Sequence, residues 1–331
     1  MDYFQKLGES VGTSWKLGDS LDEFTEAATL ALNEVPPDRV IDTQFMLDWA
    51  NEQRKLPKQV NFQTGFGEPP LVVFLGDGFY IEVLYWFTSR TGIHGHAFAG
   101  AFRVLAGHSL QTVYSFAPNE RICEGLQQGS LELKNAQWLG PGDVAPINAA
   151  DRFIHCVAHL GRPSITLVIR TETDANVRQY SYSRSGLAWR SNLRKQEHSR
   201  RMALIRARQR ERDDNCVDDL QAMVRSGDPY RCLMTLFDLD RSRVDDEMLQ
   251  RVALAGCPKA EHRDHLLNAV QELKKGRKIW RAIKDFPPNH QLAIAVNELL
   301  PPTSSVHQTL EKYFPGTVNE ILENWSQQVR L

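Results

Sequence analysis

Between residues 62 and 175 the chain breaks into short runs rich in β-branched and aromatic residues: LVVFLG, FYIEVLYWF, AFRVLAG, TVYSF, SLELKN and SITLVIRT. Turn-forming clusters punctuate them, GDG at 76–78, APNE at 117–120 and LGPGD at 139–143. Six or more short strands at roughly ten-residue spacing indicate a sandwich or barrel, not a parallel sheet with crossover helices. On either side the period changes. Residues 1–61 carry apolar residues at three- and four-residue spacing in LDEFTEAATLALNEV and IDTQFMLDWANEQRKL, with Pro36-Pro37 between them and Asp42-Thr43 placed to cap the second. After 175 the β pattern gives way to Ser, Tyr, Arg and Asn, so 176–190 reads as a linker. From 191 to 331 the chain reads as helices, among them a long one in RSNLRKQEHSRRMALIRARQRER and later ones in EHRDHLLNAVQELKKG, HQLAIAVNELL and VHQTLEKYFPG. The expected class is therefore α+β: a small antiparallel β-barrel with N-terminal helices and an all-α C-terminal domain.

Bulk properties narrow the classes of function. A net charge of −2 gives no global attraction to nucleic acid or to an anionic membrane, and no apolar run approaches the length of a membrane helix. The start, MDYFQKLGESVG, has no apolar stretch of the kind that heads a secretory leader. Five cysteines (Cys123, Cys156, Cys216, Cys232, Cys257) show no CxxC pair, and their odd number fits a reducing cytoplasm.

The residues with the most chemical content lie in GIHGHAFAGAFRVLAGHS, residues 92–109. His94 and His96 are two apart, and on a strand residues i and i+2 face the same side. An isolated pair of this kind is also satisfied by one exposed ring and one bonded to a backbone carbonyl. A third histidine, His155, follows the Gly-Pro-Gly turn and precedes a strong β run, which puts it on a late strand of the same barrel. Three neutral imidazoles suit Fe(II), Zn, Cu or Ni and leave coordination positions open.

Over residues 70–172 this pattern resembles the cupins, and within them the thiol dioxygenases that act on cysteine or 3-mercaptopropionate. The general cupin motif has two histidines one residue apart, a glutamate, then a glycine. Here His94 and His96 fill the histidines, Gly107 the final glycine, and Gly100 stands where the glutamate ligand would be. Loss of that carboxylate marks the thiol dioxygenases, whose bacterial members carry glycine there, and it implies open space beside the metal at Gly100. The resemblance implies a cupin jelly roll. It also implies a non-haem Fe(II), or another divalent metal such as Zn, Ni, Cu or Mn, held by His94, His96 and His155. The reaction implied is one of O2 with a small anionic, thiol- or amino-acid-like molecule.

The departures are as informative. A later family strand carries a Ser-His-Tyr triad at alternate positions, and RPSITLVIRT aligned on it gives Thr166, Val168 and Arg170. The serine has a conservative replacement, but the histidine and tyrosine are missing. Thr166 and Arg170 become the candidate catalytic residues, Arg170 as a cation able to fork onto a substrate carboxylate. His159, His108, His262 and His265 read as surface histidines, with a place behind the metal ligands as the alternative for His159 and metal chelation at i, i+3 on a helix as the alternative for His262 and His265. The basic stripe at 190–212 reads as a solvated helix paired with the acids of DNCVDD, with RNA, DNA or an acidic partner as the alternative. Two classes of function follow. One is a three-histidine iron oxygenase. The other is a ligand-binding or sensing module whose helical part meets a partner, with a non-redox metal enzyme as a variant of the first.

Overall fold

The computed structural model describes residues 2–60, 67–87, 90–159, 163–191, 193, 195–212, 217–225, 227–241, 245–283 and 316. The expected helices HQLAIAVNELL and VHQTLEKYFPG lie outside them. The elements run α1 (Tyr3–Ser14), α2 (Leu21–Glu34), α3 (Thr43–Glu52), β1 (Pro70–Leu75), β2 (Phe79–Trp86), β3 (Ile93–His96), β4 (Gly100–Ala106), β5 (Ser109–Cys123), β6 (Leu126–Leu139), β7 (Val144–Ile147), β8 (Ala150–His159) and β9 (Ser164–Thr171). They continue with β10 (Tyr180–Tyr182), β11 (Leu187–Arg190), α4 (Lys195–Arg212), α5 (Val217–Val224), α6 (Pro229–Arg241), α7 (Asp246–Gly256) and α8 (Ala260–Ile283). One sheet has the order β1-β2-β9-β4-β7 and the other, β10-β11-β6-β5-β8-β3, is a closed barrel. The class is α+β, with antiparallel strands between N-terminal and C-terminal helices. No helix among the described residues is long and apolar enough to cross a membrane.

Among the described residues the chain divides into two compact units, one drawn from residues 2–114, 133–178 and 280–283, the other from Ser115–Glu132 and Gln179–Ile279. In the first, alternation along the strands explains why β2 is buried at every position. Ile81, Val83 and Tyr85 join Phe4, Leu7, Val11, Phe24, Ala28 and Leu32 of α1 and α2 in one core. Leu84 and Trp86 point the other way and meet Phe98, Phe102, Val104 and Val168 in a second core. Strand β9 repeats the pattern, Ile165, Leu167 and Ile169 towards the helices and Val168 towards the inner core. A period-two run is apolar on both faces when both faces are covered. The N-terminal helices provide that cover, and their starts are set by side-chain caps. Asp2 accepts from Gln5, Ser20 and Glu23 form a capping box, and Asp42 accepts from Phe45.

Residues 176–190, expected as a linker, hold the hairpin β10–β11, which pairs with β6 through Leu187, Ala188 and Trp189. Leu187 and Trp189 enter the core of the second unit with Leu126, Leu233, Leu236, Val252 and Leu266. The Glu272 carboxylate accepts hydrogen bonds from the backbone N–H groups of Arg184 (2.7 Å) and Ser185 (2.8 Å), fixing the hairpin turn. Polar composition misleads here, because the hairpin's serines bond one another, Ser181 with Ser191 and Ser183 with Ser185, and Tyr180 accepts from Gln127, while its apolar residues go inward. The elements described within 191–283 are all helices, as expected of the C-terminal region, and the compact unit they belong to also takes in Ser115–Glu132 and the β10–β11 hairpin.

In that second unit the charges of α4 meet acids. Arg201 reaches Glu197 at 3.0 Å, and Arg208 and Asp219 pair at 2.5 Å. His262, expected on the surface, is largely buried with Nε2 2.8 Å from a Glu120 carboxylate oxygen. The same Glu120 is held by Lys259 at 3.3 Å, and together these partners keep its carboxyl below the usual carboxylate range.

Candidate metal centre

Strands β3 and β8 pair antiparallel with His94 opposite His155 and His96 opposite Ala150, the register slipping between the two. Cross-strand partners share a face, and so do His94 and His96, so the three rings converge. Their centroids lie 4.7, 4.9 and 4.9 Å apart. The glycine between the two histidines has a structural reason: a Cβ at Gly95 would lie 2.5 Å from the Ala150 carbonyl oxygen. Ala150 itself takes φ +61°, alone in this among the described non-glycine residues. That left-handed conformation is costly for a side chain with a Cβ, and it sits where the register slips beside the histidines.

All three rings are buried, and one ligand atom from each lies within 4.8 Å of the others. His96 Nε2 and His155 Nε2 are 2.9 Å apart. Two imidazole nitrogens bound about 2.1 Å from one metal, at right angles, are separated by ~3.0 Å, so this spacing fits adjacent ligands. His94 Nδ1 donates to the Gly92 carbonyl oxygen at 2.8 Å, which fixes its tautomer and presents Nε2 as a lone pair. Burial pushes all three below the ordinary histidine range, His96 and His155 furthest, and their mutual proximity adds to the effect on those two. Neutral imidazole is the form that ligates a metal.

The rings look onto a cavity of about 60 Å³ whose walls include Leu84, Phe98, Phe102 and Val168. Phe98 lies 4.6 Å from His96, and Phe153 stands 4.5 Å from His155, so apolar rings bracket the cluster. Thr166 and Arg170 also line this cavity, at alternate positions of β9 with Val168 between them. Thr166 Oγ1 accepts from the Trp86 indole N–H at 3.0 Å. The Arg170 guanidinium lies 3.4 Å over the Phe98 ring. It also faces Glu82, an acid in the otherwise apolar β2, with Nη1–Oε1 3.6 Å and side-chain exposures of 12% and 5%. Nη2 reaches Thr173 at 3.3 Å, while Nε has no hydrogen-bond partner among the described residues. Burial raises the Glu82 carboxyl, and the Arg170 charge opposes that rise.

Two sequence expectations change here. The glycine at position 100 leaves no space beside the cluster: a Cβ there would overlap the Ile169 carbonyl oxygen and lie 3.0 Å from Arg170 Cα. Close approach of β4 and β9 excludes any side chain. His159, expected in a surface loop, is only 3% exposed. It ends β8 four residues after His155, and an even spacing on a strand returns to the same face. Its ring stacks on Trp86 at 4.2 Å and 8°, and Nδ1 is 3.0 Å from Ser109 Oγ. His108 is exposed, as expected, and stacks on Trp138. Glu82 was not singled out from sequence; the signal was a lone acid in a run buried on both faces.

No family model matches the chain, and no curated protein matches it. Solved structures do. The DMSP lyase DddQ from Ruegeria pomeroyi is 17% identical over 46% of this chain and 75% of that one, with a TM-score of 0.28. The hydroquinone 1,2-dioxygenase PnpCD, solved with Cd2+ and 4-hydroxybenzonitrile, is 16% identical over 30% of this chain and 62% of that one, with a TM-score of 0.24. A cupin-2 domain protein from Shewanella frigidimarina is 13% identical over 34% of this chain and 94% of that one, with a TM-score of 0.22. The chain thus spans less than two thirds of the PnpCD chain it matches. Scores of this size assign no reaction to the chain.

Proposed function

We propose that this protein is a three-histidine metalloenzyme in which His94, His96 and His155 hold Fe(II), and that it oxidises a small anionic, thiol- or amino-acid-like substrate with O2. The observation that carries the reading is the convergence of three buried, neutral imidazoles with His96 and His155 nitrogens 2.9 Å apart. Bound there, Fe(II) supplies a positive charge that three neutral ligands leave uncompensated, and open positions for O2 and substrate.

The protein's own groups define what such a substrate meets. Phe98, Phe102 and Phe153 exclude water from the cluster and raise the strength of every charge interaction inside. Arg170 offers a cation at one end of β9, but Glu82 already holds one side of the guanidinium. A substrate carboxylate would bind there by competing with Glu82 or by taking the remaining N–H. Thr166, whose oxygen accepts from Trp86, keeps its own O–H to donate into the cavity. A volume near 60 Å³ restricts a substrate to a few heavy atoms unless the walls move.

The same small volume favours, as a second reading, a ligand-binding or sensing module that turns nothing over. Metal content and O2 uptake separate the two. Protein reconstituted anaerobically with Fe(II) is offered a panel of small thiols and amino acids in an oxygen-electrode cell. The enzyme reading expects uptake with at least one anionic thiol, lost in His155→Ala. Substoichiometric metal with no uptake across the panel supports the sensing module, and failure to bind any divalent metal removes the enzyme reading.

A further inference from the structure

The cavity has a second polar end that the metal reading does not use. His159 lies four residues beyond His155 on β8, ~13 Å along the strand at about 3.3 Å per residue. It lines the cavity, is 3% exposed, and its Nε2 has no hydrogen-bond partner among the described residues. Its other nitrogen is held by Ser109, its cross-strand partner, and one face of its ring is covered by Trp86. The ring is therefore fixed in orientation with one nitrogen left over. Gln111 stands opposite Val157 on the same strand pair, 3% exposed, and its Oε1 is also without a partner among the described residues. Val157 lines the cavity, and cross-strand partners share a face, so Gln111 stands on the same face of β5, adjoining the cavity lining rather than part of it. A buried polar atom left unsatisfied costs about 1–3 kcal/mol. Two on diagonal positions of one pair of strands call for a ligand.

Neither side chain carries charge, because burial holds the His159 ring neutral down to about pH 3. Arg170 and Glu82, the charged residues that line the cavity, neutralise each other at the opposite end of β2 and β9 from Trp86. A carboxylate or ammonium placed against His159 would be buried without a counter-charge. A hydroxyl or carboxamide would not, since it both donates and accepts.

We propose that His159 Nε2 and Gln111 Oε1 form a binding subsite for an uncharged hydrogen-bonding group, a hydroxyl or a carboxamide, on a small ligand, with Ser109 as the positioning residue that sets the His159 tautomer. This rests on the proposed function only for the ligand's being the substrate; the subsite itself needs no metal. The cavity is only about 60 Å³, so the ligand is small.

The test uses full-length protein labelled with 15N-histidine, both metal-free and Zn(II)-loaded, titrated with acetamide, acetate and ethylammonium. Acetamide is expected to move the His159 Nε2 resonance saturably in both forms. Gln111→Leu, an apolar near-isostere, is expected to weaken acetamide at least tenfold, and Ser109→Ala several-fold with a change in the His159 tautomer. Acetate is expected to touch only the His94, His96 and His155 resonances, and only with Zn(II) present. The subsite is overturned if acetamide leaves the His159 resonance unmoved, or if acetate or ethylammonium binds there as well as acetamide does. It is also overturned if both variants bind acetamide like the parent. Loss of metal binding with the metal-free acetamide shift intact would remove the proposed function and leave the subsite.

Discussion

Acid should destabilise the barrel through His159 by an amount the structure fixes. The ring titrates from 6.5 in an unfolded chain to about 3 in this fold, because burial disfavours its charged form. The folded-state value lies below the unfolded one, so the unfolded chain takes up the proton first. Stability is full above pH 6.5 and falls as the pH drops towards 3. Between pH 7.5 and pH 5 this one residue removes about 2 kcal/mol. Buried His94, His96 and His155 shift in the same direction, so they add to the loss in metal-free protein. His159→Gln keeps a polar group of similar reach without a proton to gain. In chelator-treated protein, the opening free energy of the β8 amides, from hydrogen exchange at the two pH values, isolates this unit from the other. The difference between the pH dependences of parent and variant should be about 2 kcal/mol, the variant falling less. Identical pH dependences, or a His159 that titrates near 6 by NMR, would refute the burial argument.

Glu82→Ala should destabilise by about 3–5 kcal/mol, because it leaves Arg170 buried and unpaired. Glu82→Leu combined with Arg170→Met should recover most of that loss in urea unfolding; an additive double variant would show the two residues to be uncoupled. Gly100→Ala should lower stability and displace β9, visible as altered hydrogen exchange at Ile169 and Arg170, since its Cβ has no room against the Ile169 carbonyl. A variant as stable as the parent would contradict that. Glu272→Ala removes two hydrogen bonds from the β10–β11 turn, a loss of about 2 kcal/mol. Limited proteolysis should then cut at 183–186, where the parent resists; equal resistance would mean the turn holds without Glu272.

What the sequence made legible was local. His94 and His96 share a face because they are two apart, and Thr166, Val168 and Arg170 line one cavity for the same reason. The strand runs stood out because period-two chemistry repeats within a few residues. What it hid was non-local. Glu82 acquires meaning only from Arg170, a residue on another strand that no local pattern connects to it. The even spacing from His155 to His159 was present in the sequence, yet it counts only if β8 runs straight through both, which the neighbouring Gly and Pro residues obscured. An absent side chain at Gly100 looked like open space, but only the approach of β9 says whether backbone has filled it. The hairpin at 180–190 was masked by polar composition, because Tyr182 and Ser183 are buried with Leu187, Ala188 and Trp189 yet give no apolar signal.

The central claim is that His94, His96 and His155 bind one metal ion together. Metal content by mass spectrometry, on parent and His155→Ala proteins matched by circular dichroism and reconstituted with Fe(II), tests it most directly. The account predicts about one ion per parent chain and almost none in the variant. Full occupancy in folded His155→Ala, or a parent that takes up no metal, would contradict it.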